Sequence, residues 1–319
     1  MKKAFSLLEV IFVLVILGIV ASLSSQIIIQ VYENYLMQRA VYNVSTKTEL
    51  VANQIVNRLT YRIQGSTISK KHQDFLDGNA TATSWLPLRD IPTGESFTSI
   101  EWIGYDNDSF SATKNPSWNG IANYENHASI LEFTTPDSNL SITANIMNNL
   151  SNGKVNLTSA NPAAVLFAQD DNYYTDTIEY NPLCMGLIPE VLASTSCIFP
   201  VMRNGTEKLT FTRTQDPNNA ILLPKIITER YKLAWSAYAL APEFDATTNQ
   251  YNLFLYSNYQ PWNGESYMSQ DVEKNILLPN ITVFKFSENG GVINFKLCAS
   301  ENIGEDFNVT TCKQKVVIR

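Results

Sequence analysis

The first chemistry this chain offers is a carboxylate at the head of an apolar run. Glu9 stands directly before Val10 to Ala21, behind the leader Met1-Lys2-Lys3-Ala4-Phe5-Ser6-Leu7-Leu8. A charge near the start of a membrane-length helix costs roughly 2.5–3.5 kcal/mol on insertion scales, so Glu9 implies a partner.

Enzymatic chemistry has little to draw on. The two histidines, His72 and His127, lie in polar stretches without a Cys, His or acidic pair at metal-ligand spacing, which assigns them surface or structural roles. Ser111-Ala112-Thr113-Lys114 matches the Ser-x-x-Lys pattern of acyl enzymes, yet the Lys-Thr-Gly that would accompany it is absent. No Gly-x-Ser-x-Gly, phosphate-binding loop or zinc-protease motif occurs. The sequence therefore predicts no catalytic residue and no enzyme.

Metal sites are hardly better supplied. Asp74-Phe75-Leu76-Asp77-Gly78-Asn79, Asp106-Asn107-Asp108 and Asp170-Asp171-Asn172 cluster oxygens without full EF-hand spacing and read as solvated turns. No cofactor is expected, and calcium is the single candidate ion. The loops Asn115-Pro116-Ser117-Trp118-Asn119-Gly120 and Gln260-Pro261-Trp262-Asn263-Gly264 repeat a Pro…Asn-Gly turn, with tryptophans that read as caps on the core.

Four cysteines fit an exported, oxidised domain. Three connectivities are open to them. The spacing favours Cys184 with Cys197 and Cys298 with Cys312, the second stapling a terminal hairpin that would pair Asn294 with Val316. Lys plus Arg number 23 against 30 Asp plus Glu, a formal charge of −7, which disfavours broad binding to DNA without excluding a local basic patch.

The elements that must position these residues fall into two kinds. Phe5 to Ile29 is long and apolar enough to cross a bilayer. Beyond it Val44, Thr48, Val51, Ile55, Leu59 and Ile63 recur at helical spacing, while Lys47, Asn57, Arg58 and Arg62 lie off that stripe. No proline or glycine falls within residues 19–64, and Gly65 is the expected terminator. One helix over residues 5–64 is predicted, with 5–29 in the membrane and 30–64 as its extension, packed on a soluble domain of residues 65–319.

That domain alternates short apolar runs with Asn, Gly, Pro, Ser and Thr clusters. The predicted strands are Thr98–Ile103, Ile130–Thr134, Leu140–Ile146, Ala163–Ala168, Leu209–Arg213, Tyr231–Leu240, Asn252–Tyr256, Asn280–Phe286, Val292–Leu297 and Gln314–Ile318. Such spacing argues for antiparallel sheet and hence an α+β protein. Residues 138–219 read as an insertion or second lobe.

Three readings compete for the amino terminus. A cleaved signal peptide would end near Ser22-Leu23-Ser24, and a plain signal anchor would span Phe5 to Ile29; neither accounts for Glu9. Ala4-Phe5-Ser6-Leu7-Leu8-Glu9-Val10 resembles the processing motif of type IV prepilins and type II secretion pseudopilins, with the charged leader, Phe5, Glu9 and Gly18 in the family's places. Ala4 departs from the usual glycine. The resemblance implies cleavage by prepilin peptidase between Ala4 and Phe5 (residues 1–4 being the leader), methylation of the new amino terminus at Phe5, and pairing of Glu9 with the terminal amine of a neighbouring subunit.

A second resemblance covers the carboxy-terminal third. Tyr231-Lys232-Leu233-Ala234-Trp235, Asn252 to Tyr256, Asn275 to Phe286, the Asn289-Gly290-Gly291 turn and Val316-Val317-Ile318-Arg319 follow one another as in minor pseudopilin J and the larger minor pilins. This implies a pilin-like fold and a non-enzymatic subunit of the bacterial inner membrane, single-pass, with its carboxy-terminal domain in the periplasm. The implied partners are other minor and major pseudopilins or pilins, prepilin peptidase and the inner-membrane assembly platform. A ligand-binding tip subunit of a pilus or DNA-uptake system is the rival class on the same anchor.

Overall fold

A computed structural model of the 319-residue chain describes residues 7–92, 97–123, 131–167, 184–191, 195–212, 227–303 and 307–318. With neither proline nor glycine to break it after Gly18, helix α1 runs Leu7–Thr60. At about 1.5 Å per residue its 54 residues extend about 81 Å. The buried positions are Ala40, Val44, Thr48, Val51, Ala52, Ile55 and Leu59, one stripe at spacings of three and four. Thr48 satisfies its buried hydroxyl by donating to the Val44 carbonyl at 2.7 Å.

The helix stops at Thr60, short of the expected Gln64. The chain there leaves the helix to join a sheet: Ile63 N–H donates to the Ile103 carbonyl at 2.8 Å and Tyr105 N–H to the Tyr61 carbonyl at 2.9 Å. Arg62, placed off the stripe by helical spacing, is 1% exposed because this exit turns it inward. Its guanidinium donates to the carbonyls of Leu59 at 2.8 Å and Gly291 at 2.6 Å, closing the helix end.

The remaining elements are β1 (Ile68–Lys70), α2 (His72–Leu76), β2 (Trp85–Pro87), β3 (Ser99–Gly104), α3 (Asn107–Phe110), β4 (Glu132–Thr134), α4 (Leu140–Leu150), β5 (Ala163–Phe167), β6 (Phe199–Arg203), β7 (Lys208–Phe211), β8 (Tyr231–Ala234), β9 (Ser236–Asp245), β10 (Gln250–Tyr259), β11 (Glu273–Asn289), β12 (Val292–Ile303) and β13 (Phe307–Val317). They form an eight-stranded sheet in the order β13-β12-β11-β10-β9-β3-β1-β2 and a five-stranded sheet in the order β4-β7-β6-β5-β8. Among the described residues every pairing is antiparallel. The β11–β12 connection is Gly290-Gly291, with φ of 59° and 79°, the left-handed pair that a two-residue hairpin loop requires.

Two expectations are corrected. Leu140–Ile146 is helix α4, not a strand. Its residues do alternate apolar and polar, but Asn139 caps the turn by accepting from Ile142 N–H at 3.3 Å, and Leu140, Thr143, Ala144 and Met147 are buried at helical spacing. Tyr231–Leu240 is not one strand either. It divides at Trp235 into β8 on the small sheet and β9 on the large one, because β5 pairs with the first half and β3 and β10 with the second.

The described residues form three apolar cores. One lies between α1 and the large sheet, where Val44, Val51, Ile55 and Leu59 meet Trp102, Leu253, Leu278, Phe295 and Leu297. Another covers the opposite face at β1, β3, β9 and β10, where Ala237, Ala239 and Tyr259 meet Met185, Leu187 and Ile188. The third belongs to the small sheet and α4, built from Phe133, Phe167, Phe199, Phe211, Leu140 and Met147.

Candidate assembly helix and ectodomain sites

Residues that bury one face of α1 begin only at Ala40. Before that the helix carries an 18-residue window of mean hydropathy 2.7, none of it buried. Leu7, Leu8, Phe12, Leu14, Ile28 and Val31 are all more than half exposed. Such a surface is unstable in water and suits a bilayer or the apolar faces of other helices. Glu9 occupies the first turn of α1, where a carboxylate also complements the helix dipole. The cleavage site between Ala4 and Phe5 lies outside the described residues.

The buried half of α1 is held laterally as well. Glu49 receives Lys313 at 3.5 Å and Lys315 at closer range, both from β13. The Lys315 hydrogen bond holds the Glu49 carboxyl below its usual range. Where α1 ends, a cleft of about 570 Å³ opens towards the seam between the sheets, lined by Gln54, Asn57 and Arg58 of the helix, by Tyr61 just past it, and by Trp235, Tyr238 and Glu273. The Arg58 guanidinium lies 5.1 Å from the Tyr238 ring centre.

The covalent frame sits away from that helix face. Cys184 is bonded to Cys197, with Cα atoms 5.3 Å apart, in the segment that covers the second core. Cys298 is bonded to Cys312 across the β12–β13 ladder, whose register sets Asn294 against Val316.

A buried polar cluster was not foreseen from the sequence. Lys70 in β1 and Glu101 in β3 are both within 1% of complete burial, and their ion pair measures 2.7 Å. Lys70 also donates to the Leu187 carbonyl at 2.7 Å, and Tyr259 O–H donates to Glu101 at 2.8 Å. Burial raises the Glu101 carboxyl above its usual range, with Lys70 and Tyr259 pulling the other way. The signal that could have found it was a glutamate inside Ile100-Glu101-Trp102-Ile103, a run too apolar to leave a charge unmatched.

His72 borders this cluster and is buried, taking the structural of the two roles, surface or structural, that the sequence left open. Its Nδ1 lies 3.0 Å from Tyr267 Oη and its Nε2 3.5 Å from Glu243. Burial would raise Glu243, but hydrogen bonds from His72, Lys274 and Tyr256 outweigh it and bring the carboxyl down to about 2. His127 lies outside the described residues.

The acidic loops are tied to the protein's own donors. Asp106 is buried rather than solvated, contrary to the sequence reading. It caps α3 by accepting from Ser109 N–H at 3.1 Å, and it also accepts from Trp118 Nε1–H at 3.1 Å. Burial pushes its carboxyl up to about 6, against the hydrogen bonds of Ser109 and Trp118. Asp74 accepts from Ser84 at 2.6 Å and Asp77 from Gln73 at 2.9 Å. Asp170-Asp171-Asn172 lies outside the described residues, and no group of three His, Cys, Asp or Glu that could hold a metal occurs among the described ones. Trp118 and Trp262 are each 1% exposed, so both turns bury their aromatic rings.

Residues 1–25 match the family model of the prokaryotic N-terminal methylation motif. The match, over 25 of 319 residues, supports a type IV pilin-like or pseudopilin family. That motif marks structural subunits processed by prepilin peptidase and assembled with other pilins, and with the apolar start of α1 it indicates a membrane-anchored, pilin-like protein. No curated protein matches the chain, and no solved structure does.

Proposed function

We propose that this chain is a minor pseudopilin or minor pilin that primes or caps a periplasmic pseudopilus used for protein secretion. In this reading cleavage falls between Ala4 and Phe5, Phe5 becomes the methylated terminus, and Glu9 meets the terminal amine of a neighbouring subunit. The observation that carries it is the coincidence of the residue 1–25 motif with a helix whose first half finds no cover in its own ectodomain. A glutamate paired across a subunit boundary sets register more than it adds stability.

A position at the filament end is supported by the five-stranded sheet, bulk that a repeating neighbour above it would have to accommodate. The cleft between α1 and Tyr238 supports a second reading, a ligand-binding tip subunit on the same anchor.

Mass spectrometry of protein taken from membranes with active prepilin peptidase should find N-methylated Phe5. An intact Met1, or a terminus at Ser25, refutes the assignment. Glu9→Val should insert at least as well, since the costly carboxylate is gone, while filament incorporation and dependent transport fall. Unchanged transport removes Glu9 from the assembly contact.

A further inference from the structure

The large sheet ends on a long edge strand whose lysines lie on one face. Among the described residues no strand pairs with the outer side of β13, although β13 runs for 11 residues. Its ladder with β12 is regular from Ile293↔Val317 to Ile303↔Phe307. Cys298 and Cys312 stand directly opposite with Cα atoms 4.0 Å apart, the close spacing of a non-hydrogen-bonded pair. The Cys312 peptide groups therefore point away from β12, and by alternation so do those of Asn308, Thr310, Gln314 and Val316. The side chains at all five positions are exposed and carry no charge. Natural edge strands are usually short, bulged, covered or charged to prevent pairing; β13 is long and regular, and its charges are Lys313 and Lys315, which select against a basic partner rather than an acidic one.

Glu301 lies opposite Val309, but around the carboxy-terminal half of this edge the charge is mostly positive, in a chain whose net charge is −7. On the helix face Lys313 and Lys315 share the single carboxylate of Glu49. On the other face Lys285 and Lys296 stand directly opposite one another, a like-charge arrangement that costs stability unless an acidic group relieves it. A second copy of this chain brings the wrong sign, since β13 paired with itself adds two more lysines.

We infer that the β13 edge receives an extended strand from a different protein, with acidic residues at alternate positions facing Lys313 and Lys315. Main-chain hydrogen bonds to Thr310, Cys312, Gln314 and Val316 supply affinity, and the lysines set register and partner choice. The inference rests on the ectodomain alone and holds whichever assembly α1 enters.

The test uses the full chain in detergent micelles, titrated with a fluorescent peptide of about ten residues alternating glutamate and threonine. Saturable binding is expected, with hydrogen exchange slowed at the amides of Thr310, Cys312, Gln314 and Val316. A lysine–threonine peptide should not bind. Thr310→Pro removes an outward N–H without touching the β12 ladder and should weaken binding at least roughly tenfold. Independently, Lys313→Gln with Lys315→Gln should weaken it about fivefold and flatten its salt dependence. No saturation up to about 1 mM, equal binding of the lysine peptide, or protection elsewhere overturns the inference. A dimer seen by sedimentation that Thr310→Pro abolishes also overturns it, assigning the edge to a second copy.

Discussion

Lys70→Met isolates the energetics of the buried ion pair. Methionine keeps most of the side-chain volume, so the change removes charge and hydrogen bonding more than packing. The Glu101 carboxylate loses the ammonium 2.7 Å away, and the Leu187 carbonyl loses a donor at the same distance. Removing one member of such a pair costs about 3–5 kcal/mol, because the other is left buried and uncompensated. For a protein of this size that lowers the unfolding midpoint by roughly 10 °C. The measurement needs a soluble fragment that starts near Glu33, since Ala40 to Leu59 belong to the core and a fragment starting at Thr67 would leave that core open. The pH dependence supplies a sharper criterion. Glu101 already sits above its ordinary 4.5, chiefly through burial, and losing Lys70 raises it further. A carboxyl raised in the folded state weakens the fold as pH climbs from its unfolded value through its folded one. The deficit of Lys70→Met should therefore be small at about pH 4 and large at about pH 8, and adding Glu101→Gln should recover part of it. A loss below about 1 kcal/mol at about pH 8, or an equal loss at both pH values, refutes the assignment of a destabilising buried charge.

Asp106, at about 6 in the fold against 3.8 unfolded, binds a proton in the native state across that window, so stability should fall by about 3 kcal/mol as pH rises through it. Asp106→Asn should remove this component, measured as the difference between the two unfolding curves; an unchanged slope contradicts it. Glu243 acts in the opposite sense and lower down, losing stability as pH falls from 4.5 to about 2. Non-reducing peptide mapping should return Cys184–Cys197 and Cys298–Cys312, and replacing the second pair by alanines should cost about 3 kcal/mol in thermal unfolding, whereas a crossed connectivity would contradict the terminal hairpin. Ile55→Ala should destabilise the Glu33 fragment by about 3 kcal/mol in urea and leave membrane insertion of the full chain intact.

Features that repeat along the chain could be read from it. The α1 stripe from Val44 to Leu59 recurs at a helical period, and the Gly290-Gly291 turn with its flanking alternation announces a hairpin. Reading failed where one local pattern serves two structures. The alternation in Leu140 to Ile146 fits a strand, and only Asn139 and the spacing to Met147 reveal the helix. The run Tyr231 to Leu240 contains no breaker, because both sides of Trp235 are strands and only their partners differ. The Lys70–Glu101–Tyr259 cluster was invisible for a simpler reason: its members meet across distant segments of sequence, and no short window holds two of them. Arg62 was misplaced because its direction depends on where the helix ends, which contacts with β3 decide.

A single residue, Trp235, joins β8 of the small sheet to β9 of the large one. Trp235 is 7% exposed, and its carbonyl accepts from the Gln260 side chain at 3.1 Å, so neither its ring nor its peptide is free to swivel. With no slack at that joint, the five-stranded sheet behaves as an outrigger fixed to β9 rather than a lobe on a tether. The bonded path from it runs through β9 to the adjoining β3, and from β3 to Tyr61 and Ile63 just past the end of α1. The small sheet is thus tied to the root of an 81 Å shaft, about the length of α1, by strand pairings and hydrogen bonds instead of a long loop.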